Sequence, residues 1–129
     1  MKTVYLAVPY TYKGKYNWFN KFVMWRRCRR VTKCAANILL QDLNVFSPIT
    51  HSHYIAVIGG LPQLDHEFWL RLDKWYVDRC DYVAVLMIRG WKKSVGVRRE
   101  IKWALEQGKI VVGINEDGEI ITEIQEVPR

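Results

Sequence analysis

The chain has 129 residues, half of them apolar, and a formal net charge of +7. A chain of this length can bury a core of its own, so we expect one domain over residues 1–129 that needs neither disulfide bonds nor a structural metal. Its N-terminal apolar run is too short for a signal peptide, and no segment approaches the roughly 20 apolar residues that cross a bilayer.

Apolar runs and turn residues divide the first half of the chain into alternating strands and helices. TVYLAV, residues 3–8, is predicted to be a buried strand. From about Trp18 to Leu43 apolar residues recur every three or four positions, which predicts a long helix. Residues 44–49 then form a second short strand closed by Pro48, and residues 50–63 are predicted to be a loop broken by glycine and proline.

The second half continues the alternation. A helix is predicted from about Asp65 to Arg79, followed by a nearly continuous apolar strand at 82–88, a loop and helix at 90–108, and a strand at 109–114. This order predicts an α/β fold, a single-domain, open, mainly parallel sheet with helices on both faces in a Rossmann- or flavodoxin-like three-layer sandwich. In such sheets ligands bind beyond the carboxyl ends of the strands.

The cysteines and the cations limit the environment and the partners. Cys28, Cys34 and Cys80 form no CxxC pair, which favours buried reduced thiols in a cytoplasmic protein over a zinc site. Clustered cations favour anionic partners, although a solvated helix face is an equally good interpretation of the first cluster. The two clusters are Arg26, Arg27, Arg29, Arg30 and Lys33, and Lys92, Lys93, Arg98 and Arg99.

The stretch GWKKSVGVRREIKWALEQGK, residues 90–109, contains more than a helix start requires. Ser94 is a good N-cap, and the first turn offers unpaired N–H groups and partial positive charge to an anion. Gly96 costs helix stability, which is explained if a ligand approaches the backbone there. Glu100 falls beside the apolar stripe, so we expect a half-buried carboxylate, a candidate nucleophile or base. A surface glutamate paired with a neighbouring cation is the alternative.

A second carboxylate strengthens the interpretation of Glu100 as catalytic. Asp73 lies on the flank of the apolar face of its predicted helix, before the strand that leads into the stretch described above. One nucleophilic and one proton-donating carboxyl group are what cleavage of a glycosidic bond uses. A solvated aspartate is the alternative that spacing leaves open.

With these residues the chain resembles the nucleoside 2-deoxyribosyltransferase-like family, which includes the 2'-deoxynucleoside 5'-monophosphate N-glycosidases. VYLAVPYT resembles the first strand of that family, with its tyrosine and its substrate loop. Asp73-KWYVDRC-Asp81-YVAVL resembles the segment with the catalytic aspartate, and Ser94-x-Gly96-x-x-x-Glu100 resembles the helix of the nucleophilic glutamate. The three segments follow the expected order, and the similar proteins are small members from phages and bacteria.

The resemblance implies a mechanism without a cofactor. Glu100 would attack the anomeric carbon of a 2-deoxyribose, Asp73 would protonate or orient the leaving base, and Tyr5 would hold Glu100. Water or a second base would then accept the sugar. Ser94 matches a phosphate-binding serine of the monophosphate hydrolases, where the base-exchanging transferases tend to carry a carboxylate. With the basic surroundings, this favours a 2'-deoxynucleoside monophosphate as the ligand.

The loop after the first strand departs from the family pattern. The hydrolases have a Gly/Ser/Arg-rich loop, whereas this chain has VPYTYKGKY, with Pro9 and Tyr10 as its substrate-loop residues. Thr11, Lys13 and Lys15 could supply phosphate contacts in place of that loop.

Three further residues have a functional and a structural interpretation. His51 and His53 form a His-x-His pair, but no third ligand stands at convincing spacing, so we predict no metal site and expect these histidines to line the pocket or a loop. Trp91, close to Ser94, could stack on a base or cover the edge of the core.

The sequence is also compatible with two other functions, and it predicts an oligomer. A catalytically silent nucleotide-binding protein would keep the same pocket, and a nucleic-acid-binding module would use the Arg26–Lys33 cluster, although no helix-turn-helix or zinc pattern is present. We expect at least a homodimer, because the helices carry more apolar surface than one sheet covers. We expect a bacterial cytoplasmic protein, or one in the host cytoplasm if it is phage-encoded, without membrane contact.

Overall fold

The protein has an α/β fold, which the computed structural model describes over residues 1–62 and 66–129. The strands of its sheet lie in the order β2-β1-β3-β4-β5, parallel except for β5, which is antiparallel to β4. The predicted open, mainly parallel sheet is therefore confirmed. In chain order the elements are β1 Thr3–Ala7, α1 Asn17–Leu39, β2 Asn44–Phe46, α2 Pro48–Gly59, α3 His66–Arg79, β3 Tyr82–Leu86, α4 Val95–Glu106, β4 Ile110–Ile114 and β5 Ile120–Glu123.

Helices cover both faces of the sheet, because successive residues of each buried strand point to opposite sides. Leu6 and Leu86 face α1, whereas Tyr5 and Val85 face α3 and α4. The core on the first side includes Val31, Cys34 and Ile38 of α1. The core on the second side includes Val77 of α3, and Val97, Ile101 and Ala104 of α4.

The strand order opens a crevice at the carboxyl ends of β1 and β3. The chain leaves β1 towards α1 on one face and leaves β3 towards α4 on the other face. The two connections diverge because right-handed crossovers that run in opposite directions along a sheet place their helices on opposite faces. The same order of the first strands occurs in flavodoxin-like sheets. Their ligands bind in the crevice where the strand order reverses direction.

The loop predicted from residue 50 is wrong, because residues 48–59 form helix α2, and the strand predicted at 44–49 ends at Phe46. Ser47 is its N-cap and accepts a hydrogen bond from the Thr50 N–H at 3.4 Å. Pro48 stands at the start of the helix, where its missing N–H is not needed. Gly60 ends the helix with φ 70°, a left-handed conformation that glycine adopts without strain.

Other predicted boundaries differ from the structure by a few residues. Helix α1 ends at Leu39 rather than Leu43, because the next residues turn and Asp42 has φ 62°. Gln63, the end of the predicted loop, and Asp65, the predicted start of the following helix, lie outside the described residues.

The three cysteines are free and buried, as predicted. In the described parts of the chain, no helix has the length and apolar character needed to cross a membrane.

Candidate active site

A cavity of about 370 Å³ lies at the carboxyl ends of β1 and β3. Its volume falls within the range of about 300–1,000 Å³ that is typical of small-molecule sites. The loop after β1, helix α2, helix α3 and the start of α4 form its walls. Its lining residues are Val8, Tyr10, Thr11, Lys13, Pro48, Ile49, Ser52, His53, Ala56, Trp69, Asp73, Lys93, Ser94, Val95, Gly96 and Glu100.

Helix α4 begins at the edge of this cavity. The Ser94 hydroxyl caps the helix by accepting a hydrogen bond from the Val97 N–H at 3.3 Å. By helical geometry the first N–H groups have no partner within the helix, and their dipoles give this end a partial positive charge. Lys13 and Lys93 also line the cavity. This end of the cavity is therefore suited to an anion such as a phosphate.

The Glu100 side chain runs back along α4 towards the helix start. A methyl group at Gly96 would stand 3.7 Å from Glu100 Oε1 and 4.0 Å from Ser94 Oγ. Long helical side chains take this direction because the other rotamers run into the preceding turn. Gly96 therefore leaves open the space between the capping hydroxyl and the carboxylate.

Glu100 and Asp73 line the same cavity as a carboxyl pair. Glu100 is only 7% exposed, and burial, followed by the Asp73 carboxylate, raises the pKa of Glu100 well above its usual range. Burial also raises the pKa of Asp73 to about 7. Because the two carboxyl groups interact, their raised pKa values belong to the pair rather than to either residue alone.

Tyr5 lies fully buried on β1, next to the carboxyl pair. Among the described residues, neither the Tyr5 hydroxyl nor Glu100 Oε2 makes a hydrogen bond of ordinary geometry. The two groups still act on each other. Burial, and after it the Glu100 carboxylate, raises the pKa of Tyr5, while the Tyr5 hydroxyl opposes the rise in the pKa of Glu100. Buried polar atoms without partners cost stability, and they call for a functional explanation.

Tyr10 and His53 add a neutral polar pair to the wall formed by α2 and the loop after β1. The Tyr10 hydroxyl lies 2.6 Å from His53 Nδ1, and the two rings meet edge to face. Burial lowers the pKa of His53, so its imidazole is neutral near pH 7. This pair can offer hydrogen bonds to an uncharged part of a ligand.

Arg27 fixes the loop after β1. Its Nη1 donates hydrogen bonds to the carbonyl oxygens of Tyr10 and Thr11 at 3.3 and 3.0 Å. Its Nη2 would stand 3.5 Å from a methyl group at Gly90, in the loop after β3. One guanidinium therefore binds the loop after β1 and lies close to the loop after β3.

Most of the predicted site residues lie in or next to the cavity. Tyr5 adjoins the carboxyl pair, and the residues that line the cavity are Glu100, Asp73, Ser94, Gly96, Tyr10 and His53. Thr11 and Lys13 also line it, whereas Lys15 does not.

Three other predicted site residues are not among those that line the cavity. Pro9 is buried. His51 contacts the Phe46 ring on the other side of α2 and borders a separate apolar depression. Trp91 packs against the core between the sheet and α4. Within the described ranges, no three His, Cys, Asp or Glu side chains are arranged to hold a metal ion.

The sequence interpretation missed the residues that α2 and the start of α3 contribute. Ser52 and Ala56 line the cavity beside His53, and Trp69 does so from α3, where its indole N–H donates to the Pro62 carbonyl at 2.6 Å. The helical spacing of Ser52 and Ala56 is the signal that would have placed them on one face. It becomes visible only when Ser47-Pro48 is read as a helix start.

Comparison with protein families finds a match to a model described as a domain of unknown function (DUF1937), over residues 2–116. The matched range includes every residue that lines the cavity, from Val8 to Glu100. None of the curated proteins is significantly similar to the chain. The chemistry of the cavity is therefore the basis for a functional proposal.

Proposed function

Given that the chain belongs to the DUF1937 family, we propose that it cleaves or exchanges the N-glycosidic bond of a 2'-deoxynucleotide. The observation that supports this proposal is the convergence of Glu100 and Asp73 on one cavity beside the start of α4. A carboxyl pair next to an anion-receiving helix end suits a substrate that carries both a phosphate and a glycosidic bond. The resemblance to the nucleoside 2-deoxyribosyltransferase-like family points to the same reaction.

In the first step Glu100 is the nucleophile. One of its carboxylate oxygens bonds to the anomeric carbon as the carbon–nitrogen bond breaks, and the electron pair of that bond passes to the base. The Asp73 carboxyl group donates its proton to the departing base. The products are the free base and a deoxyribosyl ester of Glu100.

In the second step an acceptor removes the sugar from Glu100. In hydrolysis, water attacks the anomeric carbon, the Asp73 carboxylate takes a proton from the water, and the ester bond breaks to restore the Glu100 carboxylate. In exchange, a nitrogen of a second base takes the place of water and Asp73 accepts its proton. The chemistry of the carboxyl pair serves both outcomes.

The raised pKa values bear directly on this mechanism. Burial disfavours the anions of both Glu100 and Asp73, and each carboxylate disfavours the other, so the pair releases its last proton at a higher pH than free carboxyl groups do. Positive charge develops on the sugar in the transition state. That charge stabilises the Glu100 carboxylate and favours transfer of the proton to Asp73, and the Tyr5 hydroxyl acts in the same direction.

The 5'-phosphate binds at the start of α4 in this proposal. The first-turn N–H groups and the Ser94 hydroxyl donate to its oxygens, and Lys13 and Lys93 supply positive charge. Because Gly96 has no side chain, the sugar has room to lie between the phosphate site and Glu100 Oε1. Because deoxynucleotides are metabolites of the cytoplasm, the proposal also locates the protein in the cytoplasm of a bacterium or of a phage-infected host.

The proposal is tested by incubating the protein with each 2'-deoxynucleoside 5'-monophosphate and each matching nucleoside, and measuring free base by chromatography. We expect faster release from the monophosphates, and reactions with an added second base separate exchange from hydrolysis. Glu100→Gln should lower the rate at least about 10³-fold, because a carboxamide is a very poor nucleophile. Glu106→Gln, at an exposed position of the same helix, is the matched control and should retain the rate.

Two results would reject parts of the proposal. Full activity of a folded Glu100→Gln variant would show that Glu100 is structural. If no deoxynucleotide or deoxynucleoside releases its base, while a monophosphate still raises the midpoint of thermal unfolding, the protein is a catalytically silent nucleotide-binding protein.

A further inference from the structure

The net positive charge of the protein is confined to its N-terminal third. Residues 1–41 contain nine lysines and arginines and no aspartate or glutamate, which gives a net charge of +9. Residues 42–129 contain 11 lysines and arginines against 13 acidic residues, a net charge of −2. Six of the nine cations lie on α1, so this helix dominates the electrostatic field of the molecule.

Four cations of α1 share one depression with two aromatic rings. We call this surface the α1 groove. Trp25 is 40% exposed, and the Arg29 guanidinium lies 5.1 Å from the centre of its ring. Arg30 donates a hydrogen bond to Glu116 at the edge of the groove. The residues of the α1 groove are Phe22, Trp25, Arg26, Arg29, Arg30, Lys33 and Glu116.

Exposed rings extend from this groove to the start of α1. The rings of Phe22 and Trp25 lie 29° from parallel, with centroids 6.1 Å apart. Near the start of the helix, the rings of Tyr16 and Trp18 lie 30° from parallel, and Trp18 is 69% exposed. Exposed aromatic rings beside cations are the features on which unpaired nucleic-acid bases stack.

Spacing places the cations and the rings on the same side of α1. Phe22, Trp25 and Arg29 are separated by three and four residues, as are Arg26, Arg29 and Lys33, so both sets follow one helix face. Arg27 takes no part, because its guanidinium is engaged by the loop after β1. The α1 groove therefore combines several unneutralised cations with stacking surfaces.

We propose that the α1 groove binds single-stranded DNA. Arg26, Arg29 and Lys33 contact phosphates, and the Trp25 ring stacks on a base. A basic groove with aromatic platforms is the combination that single-strand binding uses, because every base has an exposed face once it is unpaired. The groove itself does not depend on the proposed function, but the choice of DNA over RNA rests on it.

Two other anionic partners fit the α1 groove less well. A DNA duplex hides the faces of its bases, so it would engage the cations and leave Trp25 unused. An acidic membrane takes up apolar side chains that form one face of a helix, opposite its charged face. Here the rings and the cations lie together in a depression.

The electrostatic part of the inference is tested with labelled oligo(dT) and fluorescence anisotropy at several salt concentrations. Arg26→Glu combined with Arg29→Glu should weaken binding at least about tenfold and flatten its salt dependence. Lys2→Glu combined with Lys102→Glu changes the net charge equally outside the groove and should leave affinity within about twofold. Equal affinity of the groove variant and the unmodified protein would overturn the inference.

The stacking part is tested at Trp25. Trp25→Ala should weaken binding to oligo(dT) about fivefold or more, whereas Trp25→Phe, which keeps a ring, should retain most of the affinity. Circular dichroism of each variant checks the fold, and a duplex of equal length should respond little to Trp25→Ala. Loss of duplex and single-strand affinity to the same extent would overturn the stacking assignment.

Further experiments distinguish single-stranded DNA from RNA and from an acidic membrane, and separate this inference from the proposed function. Tighter binding of oligo(rU) than of oligo(dT) would overturn the DNA assignment. Co-sedimentation with phosphatidylserine vesicles, without oligonucleotide binding, would overturn the inference in favour of a membrane. Base release measured on the Arg26→Glu, Arg29→Glu variant should be unchanged. If the unmodified protein releases no base but still binds the single strand, the proposed function is wrong and the assignment of the α1 groove stands.

Discussion

At the scale of single residues, the missing side chain of Gly96 shapes the site together with the carboxyl pair. An alanine there would meet Glu100 Oε1 at 3.7 Å, an ordinary contact, so Gly96→Ala should fold and gain up to about 1 kcal/mol of helix stability. The methyl group fills the space proposed for the sugar. We therefore expect at least about tenfold weaker monophosphate binding by calorimetry.

Gly59→Ala is the matched control for this prediction. Gly59 is the last residue of α2, and a methyl group there would meet only the Leu61 side chain, at 3.9 Å. It should raise the unfolding temperature in the same way and leave monophosphate affinity unchanged. Unchanged affinity in Gly96→Ala as well would remove the ligand from the start of α4.

The proposed mechanism assigns the pH dependence of base release to Asp73. As a general acid it must be protonated, and burial raises its pKa to about 7. The rate should therefore fall as pH rises through about 7, and Asp73→Asn should remove this alkaline limb and lower the maximal rate. A rate profile from acid to alkaline pH measures both effects. An unchanged alkaline limb in Asp73→Asn would assign the limb to another group.

Residue spacing helps to group the candidate site residues, but it does not give the distances between their side chains. Ser94, Gly96, Asp73 and Glu100 were selected from their spacing together with the family resemblance, and they line one cavity. Six residues of helix from Ser94 to Glu100 suggest a separation of roughly 9 Å. The carboxylate returns towards Gly96, however, and side-chain direction sets this shorter path, which residue counting does not include.

At the scale of elements, two serine caps offer a paired test of phosphate binding. Ser94 caps α4 and Ser47 caps α2, so replacing either with alanine should cost about 1 kcal/mol of stability. Only Ser94 lines the cavity. Ser94→Ala should therefore weaken monophosphate binding several-fold and affect the matching nucleoside little, whereas Ser47→Ala should affect neither. Equal loss for nucleotide and nucleoside would contradict a phosphate contact.

Helix α2 was missed for a physical reason. The apolar residues of its sequence do not follow a single helix face. Ile55, Val57 and Ile58 are all exposed, so they do not mark a buried side of the helix. The sequence interpretation makes Pro48 the end of a strand and Gly60 a break within a loop, although they mark the two ends of a helix. Strands β1, β3 and β4, by contrast, are apolar runs covered on both faces, and such runs are recognisable in a sequence without knowledge of their partners.

At the scale of the whole molecule, the outer faces of α2 and α3 favour a homodimer. They expose apolar side chains around a depression. Among the described residues that line this depression, only Arg71 has a charged side chain. Patches of this kind commonly mark protein–protein interfaces. The exposed side chains are Tyr54, Ile55, Ile58, Phe68 and Trp75.

We predict that this surface joins two copies of the chain. Ile55→Glu combined with Ile58→Glu should convert the dimer to a monomer, because each copy would bury two unpaired carboxylates. Trp18→Glu, on the exposed start of α1, is the control and should leave the dimer intact. Light scattering at micromolar concentration measures both. A monomeric unmodified protein would refute the prediction.

The carboxyl pair of the cavity also contributes to the pH dependence of the stability of the fold. Both carboxyl groups have higher pKa values in the folded protein than in the unfolded chain, where they ionise near about 4. Folding therefore retains protons that the unfolded chain has released, and the free energy of unfolding falls as pH rises from about 4 through the raised values.

Glu100→Gln removes one ionisation and keeps the shape of the side chain, so the variant should melt at a higher temperature than the unmodified protein. The gain should be larger at about pH 8 than at about pH 5, because only the carboxylate is destabilised by burial. Scanning calorimetry at the two pH values measures it, and an equal gain at both would refute this origin. Under the proposed function, reactivity thus comes at the expense of durability, and the variant without the nucleophile would be the more robust protein.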